Sequence, residues 1–231
     1  MLRNGLLAAL GDAGDLLSPH LRDVTLRAGA VLCEPGDDLA FVYFLHEGAV
    51  SKLAAFESGA EIECALIGRE GAVGAAAVFG VRQSLTRDVC LVEARASRIE
   101  AERLRQACAR SAVIDQALRQ YVLKKFYAAM RSGACNGQHP VEQRLPRWLL
   151  AASDALGSAE IVLPQDAVAR MLGVQRSSVN PVLQDLQAAG IVALGRGRLT
   201  LLDRPRLLGR ACECYAAVRG EAAPFASYGR G

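Results

Sequence analysis

The residues best suited to chemistry in this chain cluster between positions 165 and 203. Gln175, Arg176, Ser177, Ser178 and Asn180 form a polar group at the start of an amphipathic run. An arginine guanidinium can donate two parallel hydrogen bonds to guanine O6 and N7, and an asparagine carboxamide matches adenine N6 and N7. Arg176 and Asn180 are separated by one helical turn, so a helix would present both on one face. Ser177 and Ser178 are short donors, suited to a phosphate or a close base edge. Further along, Arg196 and Arg198 sit in a glycine-rich turn, GRG, at 195–197 and just beyond it. Two guanidiniums there would lie along a phosphate backbone.

Other reactive side chains are scattered. The seven cysteines stand at 33, 64, 90, 108, 135, 212 and 214, an odd number at irregular spacing. That pattern suits reduced thiols in a cytosolic protein rather than a disulfide framework. Cys212 and Cys214 are close, but two ligands make an incomplete metal site, so they read as packed thiols and no metal is expected. His46 is the one histidine of the glycine-punctuated region, too few for a metal-dependent barrel enzyme. No nucleophile stands beside a base, and GREGAVG (68–74) lacks the Lys and Ser/Thr of a phosphate-binding loop. Catalytic residues are therefore not expected.

Three kinds of element must position these groups. QDAVARMLGVQRSSVNPVLQDL (165–186) reads as a helix-turn-helix. Ala169 is small where two helices would cross, and Gly173 falls where the first must end in a left-handed turn. Val168, Leu172, Val174, Val179 and Val182 would be buried between the helices. Pro181 lies inside the second helix, where it removes a hydrogen bond and can kink it. IVALGRGRLTLLD (191–203) then reads as a two-stranded wing. Arg176 and Asn180 on one face serve base reading better than a protein–protein scaffold, the rival use of a winged helix.

Upstream, residues 24–99 alternate short apolar runs with glycine turns at Arg27–Ala30, Glu34–Asp38, His46–Gly48, Glu57–Ala60 and Gly68–Gly71. Short strands at this spacing predict an antiparallel jelly-roll barrel. Residues 100–134 are helical in pattern, with Ile114, Leu118, Tyr121, Phe126 and Met130 at steps near three and four. This stripe suits either packing on the barrel or a dimer seam, and its length favours the seam, with Ile114, Leu118, Tyr121 and Phe126 as its residues. Asn136–Pro140 should break the helix. The expected organisation is α+β: barrel over 1–99, dimerisation helix over 100–137, winged helix-turn-helix over 138–231.

The net charge is +3; residues 1–137 carry 16 basic and 16 acidic side chains, so the excess lies in the C-terminal part. No apolar run reaches the roughly 18–20 residues of a membrane span, and the N-terminal stretch lacks the pattern of a signal peptide. A cytoplasmic location and no membrane partner are the expectation.

This order of parts resembles the Crp–Fnr superfamily of bacterial transcription regulators, through HPVEQRLPRWLL (139–150), MLGVQRSSV (171–179), GRGRLTLLDRPRL (195–207), CECY (212–215) and, less closely, GREGAVG. The resemblance implies a cyclic-nucleotide-binding-like barrel, a homodimer on a two-fold symmetric double-stranded DNA operator, and contact with RNA polymerase in activation. Members that bind cyclic AMP carry Gly-Glu, for the ribose hydroxyl, then Arg followed by Ser or Thr, for the phosphate. The corresponding positions here are Gly74, Ala75 and Ala76, then Thr86, Arg87 and Asp88, so the carboxylate is missing and an acid stands near the phosphate position. Gly74, Ala75, Arg82, Thr86 and Arg87 would line any effector pocket. Cyclic AMP is disfavoured, no cofactor is expected, and the effector stays open. Iron–sulfur members carry a tight N-terminal cysteine group that is lacking before Cys33.

Overall fold

The computed structural model describes residues 4–163 and 165–219. A short helix, α1 (Gly5–Ala8), opens it, and Asn4 caps that helix while donating to the carbonyls of Leu45 and Gly71. Six strands follow: β1 (Arg22–Leu26), β2 (Val31–Cys33), β3 (Phe41–Ala55), β4 (Glu61–Ile67), β5 (Ala72–Val73) and β6 (Arg87–Glu100). They form one antiparallel sheet in the order β1-β6-β3-β4, with β2 also on β6 and β5 also on β3. Leu45, Val50, Ile67, Val73, Cys90 and Ala94 fill its inside, as inward alternation along each strand requires. The expected turn at His46–Gly48 is not one. β3 runs unbroken from Phe41 to Ala55, and register shifts against β6 between Leu45 and Val50 absorb the glycine as a bulge.

The helical stretch after the sheet is two helices rather than one. α2 (Ala101–Arg110) ends at Ser111, which is extended and whose Oγ accepts from Ile114 N–H to cap α3 (Ala112–Gln138). Asn136 and Gly137, expected to break α3, lie within it. The stop comes at His139, which precedes Pro140 and is pushed to an extended conformation by the proline ring.

The C-terminal part comprises α4 (Val141–Leu156), β7 (Glu160–Ile161), α5 (Gln165–Leu172), α6 (Arg176–Ala188), β8 (Val192–Gly195), β9 (Arg198–Leu201), α7 (Arg204–Arg210) and α8 (Cys214–Arg219). The three strands pair antiparallel in the order β7-β9-β8. Leu145, Trp148, Leu149, Val179, Leu183 and Ile191 centre a core that also takes in Leu53 from β3. The two halves are thus packed together. Ile62 lies against Gly173, Trp148 Nε1 donates to Glu63 Oε1 at 2.8 Å, and Ser51 Oγ donates to Glu63 Oε2 at 2.7 Å. At Gly68 the approach is so close that a Cβ would stand 2.3 Å from the Ala155 carbonyl oxygen, which admits only glycine.

Candidate nucleic-acid interface

The angle between α5 and α6 is set by Gly173, at φ +64°. Its N–H donates to the Arg170 carbonyl, and the next N–H, of Val174, reaches back to Ala169. This double bond pattern closes α5 in a left-handed turn that a side chain would strain. Ala169, Val168, Leu172, Val179 and Val182 are buried behind the turn, and Val174 packs on them half-buried. Apolar spacing alone therefore fixes which face of α6 turns outward.

That outward face begins with Gln175, the extended residue before the helix, whose carbonyl accepts from Ser178 N–H. Gln175, Arg176, Ser177 and Ser178 are all exposed, and Ser177 Oγ donates to Gln175 Oε1 at 3.4 Å. Asn180 is only half-buried, and its Oδ1 is enclosed without a donor. The expectation that Asn180 offers its whole carboxamide to a base is corrected to that extent: the carbonyl end must rotate outward first. Pro181 is exposed, and α6 continues through it to Ala188, so the proline does not end the helix.

The wing is a tight hairpin. Gly195 pairs with Arg198 across the two-residue loop Arg196–Gly197, and Gly197 takes the left-handed position, φ +69°, at little cost. Arg196 is exposed at the tip; Arg198 Nη1 lies 3.4 Å from Glu160 Oε1 on the neighbouring strand. Both pair members are well exposed, so the interaction is weak and leaves Arg198 available to an anion.

Comparison with known families matches residues 143–210 to the Crp-like helix-turn-helix domain and residues 23–111 to the cyclic nucleotide-binding domain. The chain belongs to the Crp–Fnr superfamily of transcription regulators. Its fold is shared with the solved structure of FixK2 from Bradyrhizobium japonicum, at 16% identity over 83% of this chain and 98% of that one, with a TM-score of 0.73. It is shared also with the c-di-GMP-responsive global regulator CLP of Xanthomonas campestris, at 19% identity, 82% and 97% coverage and a TM-score of 0.68. A CRP-family regulator of Thermus thermophilus gives 20% identity, 81% and 96% coverage and a TM-score of 0.69. No curated protein sequence matches the chain. Among the described residues, no helix is long and apolar enough to cross a membrane.

In this Crp–Fnr regulator the residues expected to line an effector pocket are placed as follows. Gly74 and Ala75 open a short 3-10 helix, with Ala75 buried; Arg82 is exposed. Thr86 Oγ1 donates to Asp88, whose fully buried carboxylate pairs with Lys52 at 2.5 Å. Arg87 bridges Glu61 at 2.7 Å and Glu34 at 3.1 Å, and the Glu61 bond pushes its guanidinium pKa further up. The acids that flank Arg87 on neighbouring elements were invisible in local sequence. A cleft of about 730 Å³ lies elsewhere, between β4, α3, α4 and α8, where Glu63, Lys124, Lys125, Arg147 and Asp154 are among its lining residues. None of the five expected pocket residues lines it.

The seam residues are also corrected. Ile114 and Leu118 are buried against this chain's own barrel, and Tyr121 Oη donates to the Ala72 carbonyl and accepts from Ala72 N–H. Burial pushes the Tyr121 phenol pKa well up. α3 carries two apolar faces, and the stripe followed from Ile114 begins on the inner one. The outer face shows Leu123, Phe126, Tyr127 and Met130, each more than half exposed. Of the four expected seam residues, Phe126 alone is on it.

His46 sits in the bulge of β3, where its Nε2 donates to Ser97 Oγ at 2.7 Å and Ser97 donates on to Asp23; desolvation lowers its pKa. The reading of Cys212 and Cys214 as an isolated pair was incomplete. Cys135 and His139, at the end of α3, stand beside them. Their four-residue spacing on one helix was the available signal, but the fold had to bring in the other pair.

Proposed function

We propose that the chain is a cytoplasmic homodimer that binds a two-fold symmetric operator through α6 and the wing and reports a signal from the N-terminal roll. The exposed polar turn Gln175–Ser178, held out by the Gly173 turn and the buried side chains behind it, carries this reading. With α6 in the major groove, Arg176 reads a guanine, Ser177 and Ser178 reach a phosphate or base edge, and Asn180 reads an adenine after its amide turns. Backbone N–H groups at the α6 N-terminus add a phosphate site, and Arg196 and Arg198 follow the backbone.

The dimer forms through the outer face of α3. Leu123, Phe126, Tyr127 and Met130 recur at the i, i+3, i+4, i+7 steps of a coiled-coil seam, and a second copy is the partner that matches such a face. Half-sites then lie about one helical turn of DNA apart. Polymerase contact accompanies activation. Cyclic AMP is not the effector in this reading, supported by the acids already bound to Arg87 and by Ala75 in place of a carboxylate. Selection from random duplexes, followed by footprinting, tests the proposal. A palindromic consensus with two protected half-sites supports it; equal retention of all sequences at moderate salt ends it.

A further inference from the structure

The end of α3 meets the start of α8 and the residues just before it in a small cluster of three buried cysteines, Cys135, Cys212 and Cys214, joined by His139. The four potential ligand atoms all lie within 4.8 Å of one another. We propose that Cys135, His139, Cys212 and Cys214 together bind one tetrahedral divalent cation of the zinc class, fastening the long helix to the C-terminal segment.

Geometry supports a single ion. With Zn–S near 2.3 Å and Zn–N near 2.0–2.1 Å, the edges of a tetrahedron are roughly 3.8 Å between sulfurs and roughly 3.6 Å from sulfur to nitrogen. Here Cys135 Sγ and Cys212 Sγ are 3.5 Å apart, and Cys214 Sγ is 3.7 Å from His139 Nδ1. In a 2Fe–2S cluster the ligands divide into two pairs on separate irons, and in a 4Fe–4S cluster each cysteine takes its own iron. Four ligand atoms all within 4.8 Å of one another therefore suit a single ion.

The surroundings have the form of a metal site's supporting shell. His139 Nε2 lies 3.2 Å from Glu213 Oε2, so the carboxylate holds the Nε2 proton and leaves the Nδ1 lone pair facing the sulfurs. Two arginines flank the thiols. Arg144 is 7% exposed, donates one bond to the Leu172 carbonyl, leaves its buried Nε without a partner and interacts electrostatically with Cys135 and Cys212. Arg131 does likewise with Cys214, and its Nε is also buried and unpartnered. A buried cation beside neutral thiols, as Arg144 is, is costly. Binding releases three thiol protons to solvent with no transfer of electrons, and a dication with three thiolates and a neutral imidazole carries one net negative charge. Arg144 then gains an anion beside it, while Arg131, which already lies 3.8 Å from Glu213, gains a second.

Four protein ligands leave no open position, so the ion is structural rather than catalytic. Cys135 and Cys212 are 77 residues apart, and the loop they close contains α4, α5, α6 and the wing. The inference does not depend on the DNA reading.

The test uses the full-length reduced protein, stripped by a chelator and titrated with cobalt(II), then zinc. Tetrahedral ligand-field and thiolate charge-transfer absorption saturating at about one equivalent, and abolished by zinc, is expected. Metal analysis of protein purified without added metal should return about one zinc per protomer. Cys214→Ser and His139→Ala should lose it, whereas Cys64→Ser should retain it. The wild-type cobalt spectrum decides the matter if the first two variants do not fold. A six-coordinate spectrum, iron with sulfide in place of zinc, or a Cys135–Cys212 disulfide in metal-free protein that refuses cobalt after reduction would each overturn the assignment.

Discussion

Replacing Tyr121 with phenylalanine removes one oxygen and two hydrogen bonds, both to Ala72. The hydroxyl donates to the Ala72 carbonyl at 2.9 Å and accepts from its N–H at 3.0 Å. Ala72 is 4% exposed, so water cannot replace the lost partner. Leaving buried backbone groups unsatisfied costs about 1–3 kcal/mol. For a chain of this size, a central loss of about 2 kcal/mol lowers the thermal midpoint by roughly 4–8 °C. The dimer should survive, because the ring points into its own subunit. Phe126→Ala should behave oppositely: dimer affinity weakens by about 2 kcal/mol or more per protomer, and the midpoint falls only as dissociation allows. Scanning calorimetry at fixed concentration, paired with sedimentation, separates the two. Were Tyr121→Phe to dissociate the dimer at an unchanged midpoint, the assignment of inner and outer faces on α3 would be wrong.

Arg176→Ala should cost about 1–3 kcal/mol of operator binding and relax preference at one base pair, read from competition binding against single-base variants. Unchanged discrimination would exclude the guanine contact. Arg196→Ala should weaken every duplex alike and reduce the salt slope by about one, and a slope equal to wild type would remove it from the backbone. Glu63→Gln tests the joint between the two halves. Burial raises the Glu63 carboxyl pKa, while Ser51, Trp148, Arg147 and Lys125 pull it down less. A raised carboxyl contributes stability that is complete below its ordinary value near 4.3 and is lost as pH climbs through the raised value. Glutamine keeps an acceptor and cannot ionise, so its advantage over wild type should widen from acid toward neutral pH. A thermal difference that stays constant with pH would contradict this.

The winged helix was legible because its constraints are local. Ala169, Gly173 and the apolar steps from Val168 to Val182 sit within one short window, and each has a single steric or solvation cause. The roll was legible as a kind of fold, but His46–Gly48 carries the same residue types whether it turns a hairpin or bulges a strand, and pairing with β6 decides. The α3 stripe misled because periodicity records that a face is apolar without recording what covers it. Asn180 looked outward by spacing, yet its Oδ1 is enclosed by neighbours the helix alone does not specify. Arg87 was read beside Thr86 and Asp88, while Glu34 and Glu61 reach it across strands. The Cys135 and Cys212 neighbourhood required the whole domain between them to fold.

Leu53 of β3 shares a core with Trp148 and Leu149 of α4, and Leu66, Val89 and Leu91 pack on its edge. Cutting the chain at Pro140 would therefore strip a water-shielding wall from each product. A C-terminal fragment expressed alone would present Trp148 and Met171 to solvent and leave Glu63 on the other fragment without its indole partner. Dissection into separately soluble pieces, the usual route to studying a sensor apart from its output, is a poor route for this molecule unless polar residues replace that wall.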